Sequence, residues 1–162
     1  MHEIIGPLFE MTPAERLAFT RMTGALIGAI RQLRKPVVAA INGVAAGAGA
    51  VIALACDFRV MSSSAKIAFL FVRVGLAGVD MGAGWLLPQI VGLGRATELL
   101  MLGDTIDAET ADRYGLVTEL TEDLDGACDA LARRLADGPT LGLQQTKSLI
   151  TRELDMPLGP AM

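Results

Sequence analysis

From Pro36 to Cys56 the chain carries a single polar side chain, Asn42, and three glycines, at 43, 47 and 49. A run of this length is long enough to cross a bilayer, and Gly43 and Gly47 even have the G-x-x-x-G spacing of packed membrane helices. Its internal punctuation argues otherwise. "VVAAI" at 37–41 is a short β-rich run fenced by Pro36 on one side and Asn42-Gly43 on the other, which reads as a strand. Gly47-Ala48-Gly49 then makes a turn, and an apolar helix starts near Gly47. No second span follows, and the rest of the chain reads as amphipathic helices. Strand, glycine turn and helix are therefore expected, not a membrane span.

The remaining composition narrows the class. A chain of 162 residues fits one domain over 1–162 with a real core. Hydrophobic residues make up 52% and aromatics only 4%, so Ala, Leu, Ile, Val and Met must build that core. The net charge is −4, and the 14 Lys and Arg are scattered. A nucleic-acid partner needs a basic footprint that is missing here. Cys56 and Cys128, the two cysteines, form no C-x-x-C pair and read as buried structural thiols in a reducing cytoplasm. "MHEIIGPLFE" has neither a basic n-region nor a long apolar h-region, so no signal peptide is read there. His2, the sole histidine, sits at a terminus and is assigned no role. No metal-ligand spacing stands out.

Periodicity and capping place the elements. Thr12, Pro13 and Glu15 form a capping box with proline at the first helical position. Leu17, Met22, Leu26, Ile30 and Leu33 continue at helical spacing. Two short strands, at 57–62 and 66–69, are expected around Ser62-Ser63-Ser64. Two helices separated by Gly92 and Gly94 follow, then a short helix capped by Asp107 and ended by Gly115. "LVTEL" at 116–120 reads as a strand, and "DGACDALARRLADG" and "GLQQTKSLITREL" as amphipathic helices. Helices alternating with strands in this way give an α/β fold.

A glycine turn that opens a helix presents backbone N–H groups to an anion. The dinucleotide fingerprint fails, because Ile52 stands where its third Gly or Ala belongs and no acidic residue ends a second strand about twenty residues on. A P-loop fails because no Gly-Lys-Ser/Thr follows. Two readings stay open: close packing of a small-residue helix on a sheet, or a pocket in which a free amide stabilises a developing oxyanion.

"KPVVAAINGVAAGAGAVIALACDFRVMSSSAKIAFLFVRVGLAG" resembles the enoyl-CoA hydratase/isomerase (crotonase) family in Lys35-Pro36, the strand, Asn42-Gly43, the glycine turn, Asp57 and the Ala-Lys-x-x-Phe segment at 65–69. The likeness continues through "LLPQIVGLGRATELLMLGDTIDAETADRYGLVTEL" and is strongest over 35–120. It implies a truncated crotonase-like spiral of β-β-α turns. It also implies an acyl-CoA thioester as partner, with coenzyme A part of the substrate and no separate cofactor, and a homo-oligomer, either a trimer or a dimer of trimers. By resemblance the oxyanion turn is Gly47, Ala48 and Gly49, with Ala48 N–H as one donor. The family's second donor lies on a loop before the residues similar to "HEIIGPL", so the chain is expected to be short on that side. Further helices normally follow the equivalent of "DMPLGPAM", and apolar surface left uncovered there favours self-association.

The family's acid–base positions depart from the hydratase pattern. Its hydratases carry two glutamates; Val51 and Phe71 stand at those places here. Water cannot be positioned or a proton moved by an apolar pair. Asp80, in "VGLAGVDMGAGWLLP", resembles the aspartate that some isomerase and dehalogenase members use as base or nucleophile. A plain N-cap on a helix starting near Gly82 explains the same residue. Two functions from different classes remain: a thioester enzyme using Ala48 N–H and Asp80, or a catalytically silent scaffold. Trp85 is expected in the core or along an acyl pocket, Asp57 in a structural hydrogen bond, Arg73 and Lys66 in solvent rather than on CoA phosphates, and Arg95 with Glu98 as a helix-surface or subunit pair.

Overall fold

The computed structural model describes residues 6–7, 10–154 and 156–157. His2 and most of the 155–162 tail lie outside the described residues. Helix α1 (Pro13–Gln32) opens with the expected capping box: the Thr12 amide donates to Glu15 Oε2 at 2.8 Å, and the Glu15 amide donates to Thr12 Oγ1 at 3.3 Å. Hydrogen bonds donated by the Thr12 hydroxyl and then by the Thr12 amide hold the Glu15 carboxyl below its ordinary pKa.

The run from Pro36 to Cys56 folds as three elements: β1 (Val38–Ile41), β2 (Val44–Ala46) and α2 (Ala48–Ala55). Among the described residues no helix is long and apolar enough to cross a membrane. β3 (Phe58–Ser62) and β4 (Lys66–Ala68) flank the serine turn. After them come α3 (Ala83–Leu102), β5 (Thr105–Asp107), α4 (Ala108–Arg113), β6 (Glu119–Thr121), α5 (Leu124–Ala136) and α6 (Thr140–Glu153).

The strands form two three-stranded sheets, in the orders β1-β3-β6 and β2-β4-β5. The first is parallel throughout, with Ala40 opposite Val60 and Met61 opposite Leu120. In the second, β2 and β4 run parallel while β5 returns antiparallel to β4. Because β1 and β2 are separated only by Asn42-Gly43, and β3 and β4 only by the serine turn, each chain segment passes from one sheet to the other. That is the spiral the resemblance implies. Helix α2 packs against β2, α1 and α3, and α5 covers β1 and β3. The fully buried Val51, Leu54, Val60, Met61, Ile67, Phe69 and Leu87 form the core between them.

Several expectations need correction. β2 and β5 were not expected as strands, and the strand predicted at 116–120 lies at 119–121 instead. Leu116 goes into the core from the preceding loop, fully buried. The break expected between two helices at Gly92 is present, by contrast: its φ 76° and ψ 161° are non-helical and divide α3 into two helical segments. Cys56 is buried as expected, whereas Cys128 is only half-buried. Trp85 is 44% exposed, so it is not a core residue.

Candidate functional site

Gly47 sets the geometry of the turn. At φ 53° and ψ −116° it occupies a conformation that a side chain resists and glycine accepts. Its own amide is occupied, donating to the Ala68 carbonyl at 2.9 Å, which ties the turn to the end of β4. The Gly47 carbonyl accepts from Val51 N at 3.1 Å, starting α2. Among the described residues no side chain caps this helix. As its first residue, Ala48 has no intrahelical acceptor for its N–H, and both Ala48 and Gly49 are exposed. The positive end of the helix dipole adds to the field at the same place. A cavity of about 300 Å³ opens beside this turn, lined by Ile41, Asn42, Gly43, Ala45, Gly49 and Ile52 among others.

The surroundings of the turn are apolar. Val51, one turn along α2, is fully buried, and Phe71 is 6% exposed. The Phe71 ring edge lies 3.9 Å from where a Cβ on Gly47 would be. Phe71 therefore closes against Gly47, and Val51 meets the turn through its amide, which donates to the Gly47 carbonyl.

Asp80 opens a short turn, Asp80–Gly82, that packs against α1, α2 and α3. It does not cap α3. The N-cap of that helix is Gly82, with no side-chain hydrogen bond, and the Asp80 carboxylate instead accepts the Met81 amide on Oδ1 at 2.9 Å. The plain N-cap explanation of Asp80 is thereby removed. Asp80 remains partly exposed, and Oδ2 carries no hydrogen bond among the described residues.

Other singled-out residues have structural partners. Asp57 Oδ2 accepts from the Val37 amide at 2.8 Å and from Lys147 Nζ at 2.7 Å, while Arg31 lies 3.9 Å from Oδ1. This carboxylate joins α1, the entry to β1 and α6. Arg73 pairs with Asp104 on the surface, and Arg95 reaches Glu98 at 2.8 Å while lying over the Tyr114 ring at 4.4 Å. A second cavity, about 500 Å³, separates α1 from α6 and is lined by Arg31, Arg34, Lys147 and Arg152. Neither this cavity nor the one beside the glycine turn is lined by Ala48 or Asp80.

Sequence reasoning missed Arg59. Its guanidinium donates to the carbonyls of Cys56 at 2.7 Å, Leu116 at 2.8 Å and Ala53 at 3.4 Å. Two of those carbonyls end α2, so a positive charge sits at the C-terminal end of the helix whose N-terminus is the glycine turn. Burial pushes the Arg59 pKa below the ordinary guanidinium value. An arginine following a Cys-Asp-Phe strand entry gives no local sign of such a role.

Comparison with known proteins places the geometry in context. The family model for enoyl-CoA hydratase/isomerase matches residues 9–161. The chain is 40% identical over 136 residues to the 1,2-epoxyphenylacetyl-CoA isomerase of Escherichia coli (strain K12), a match covering 83% of this chain and 52% of that one. A crystal structure from Streptomyces coelicolor A3(2), assigned as an enoyl-CoA hydratase, superposes with a TM-score of 0.94 at 60% identity, covering 99% of this chain and 59% of that one. A Thermobifida fusca YX protein of the same assignment, in complex with acetoacetyl-CoA, superposes with a TM-score of 0.77 at 33% identity, over 82% and 52% of the two chains. The chain spans about half the length of the curated relatives it matches.

Proposed function

From the chain's membership of the enoyl-CoA hydratase/isomerase family, shown by the match over residues 9–161, we propose that it handles an acyl-CoA thioester by proton transfer rather than by hydration. The observation that carries this reading is the uncapped turn at Gly47-Ala48-Gly49, whose Ala48 amide has no acceptor among the described residues, with buried Phe71 against Gly47 and the Asp80 turn packed on the same helix. The thioester carbonyl oxygen would accept from Ala48 N–H. The Asp80 carboxylate would take a proton from the carbon next to the carbonyl, and the released electron pair would pass to the oxygen as an enolate. Return of that proton from Asp80 to the conjugate carbon gives the isomer. No water is consumed, in keeping with an apolar pair where hydratases hold acids.

The acetoacetyl-CoA bound by the Thermobifida fusca protein supports the same ligand class for this chain. The cellular setting we propose is the cytoplasm, and the assembly a homo-oligomer, trimer or dimer of trimers. The second reading, a catalytically silent scaffold, draws on the same Val51 and Phe71 departures from the hydratase pair.

Calorimetric titration with a short enoyl-CoA, paired with solvent deuterium uptake into the ligand, separates the two. Saturable binding and uptake are expected for the wild-type chain. Asp80→Asn should keep the binding and lose about a hundredfold or more of the uptake rate. No binding at millimolar ligand by a folded chain would sink the enzyme reading and leave the scaffold.

A further inference from the structure

Met81 is the one non-glycine residue at positive φ among the described residues, at φ 53° and ψ 19°. Left-handed backbone is disfavoured for a side chain of this kind, and Gly82 continues it at φ 85° and ψ 11°. A left-handed residue chosen for conformation alone would be glycine or asparagine. Here it is a long apolar one, and its side chain is 8% exposed and part of the main core cluster. The turn it sits in is packed by α1 and α2 and runs directly into α3. Buried side chain and unfavourable backbone are therefore coupled: the packing holds the main chain where it would not rest by itself.

The consequence falls on the preceding residue. The Met81 amide donates back to Asp80 Oδ1 at 2.9 Å and Asp80 N donates to the Ala77 carbonyl at 3.2 Å, so anchoring Met81 in the core also anchors the peptide plane that carries this donor. The carboxylate is fixed through one oxygen, and Oδ2 is left without a partner among the described residues. We infer that Met81 is a positioning residue: its buried side chain locks a left-handed turn whose amide orients the Asp80 carboxylate for proton transfer. The inference rests on the proposed role of Asp80. Met81 itself touches no reacting atom.

Three substitutions separate packing from backbone preference. Met81→Leu keeps an apolar plug at the same backbone cost. Met81→Ala keeps the cost and removes the plug. Met81→Gly removes both, freeing the turn. Solvent deuterium uptake into a short acyl-CoA is measured under saturation, with KM, calorimetric affinity and Tm for each. For Met81→Gly and Met81→Ala, kcat for uptake is expected to fall about tenfold to a hundredfold with KM nearly unchanged. Met81→Leu should restore most of it. If the glycine variant does not fold, the alanine and leucine pair decides the matter.

Uptake lost in Asp80→Asn but running at the wild-type rate in folded Met81→Gly or Met81→Ala overturns the positioning role alone. So does a loss of kcat in Met81→Leu equal to that in Met81→Ala. A wild-type chain without uptake, or an Asp80→Asn variant with wild-type uptake, overturns the Asp80 reading and this inference with it.

Discussion

At the scale of the residue, the site is built from groups whose neighbours decide what they do. The role proposed for Ala48 is a backbone one, so its small side chain matters only in leaving the amide open. Asp80 illustrates what is and is not readable locally: its acid was plain in "GVDMGAG", but the turn around it depends on where the Met81 side chain is buried. Arg59 was invisible for the same reason, since its partners lie at Ala53, Cys56 and Leu116. Arg59→Leu strands those three carbonyls and should lower unfolding free energy by about 2–4 kcal/mol. Chemical denaturation tests this, with a shift in midpoint expected at constant slope. A variant as stable as wild type would mean that water replaces the guanidinium at no cost.

At the scale of the element, local signals read well and non-local ones did not. The capping box of α1, the Asp107 cap of α4 and the glycine turn before α2 are set by residues within one helical turn, and each appears where the sequence placed it. β2 and β5 are three residues each, defined only by pairing with β4, and nothing within them announces a strand. The predicted 116–120 strand is displaced because the core takes Leu116 from the loop. Gly92 and Gly94 make the contrast between conformation and position testable, since neither would bring a Cβ within 4 Å of another group. Gly92, at φ 76° and ψ 161°, should lose about 1–3 kcal/mol on replacement by alanine. Gly94, exposed and without a positive φ, should gain about 0.4–1 kcal/mol from the same change. Equal effects at the two positions would contradict the break in α3.

At the scale of the whole molecule, the fold is a two-sheet spiral whose helices are unevenly covered. Leu93, Met101 and Leu102 on α3, and Leu141, Ile150 and Leu154 at or beside α6, are all more than half exposed. Burying such side chains is worth about 25 cal/mol per Å², so the chain should self-associate as concentration rises. Sedimentation velocity is expected to show a species heavier than the monomer, and Leu93→Asp with Met101→Asp should weaken it; a strictly monomeric wild type would contradict the proposed oligomer. The family and the spiral were legible because motif order is a property of sequence, whereas the second sheet emerges only when β2, β4 and β5 meet. The central claim is that the Ala48 amide, held free by the Gly47 turn, polarises a thioester carbonyl. Ala48→Pro tests it most directly, because proline is accommodated at a first helical position yet deletes the donor. The measurement is the isotope-edited infrared carbonyl band of a bound short acyl-CoA labelled at the thioester carbon. We expect a shift to lower frequency on binding to the wild-type chain, and its disappearance in a folded Ala48→Pro variant that still binds the ligand. A bound carbonyl with its solution frequency in the wild type, or the same shift in both chains, would contradict the claim.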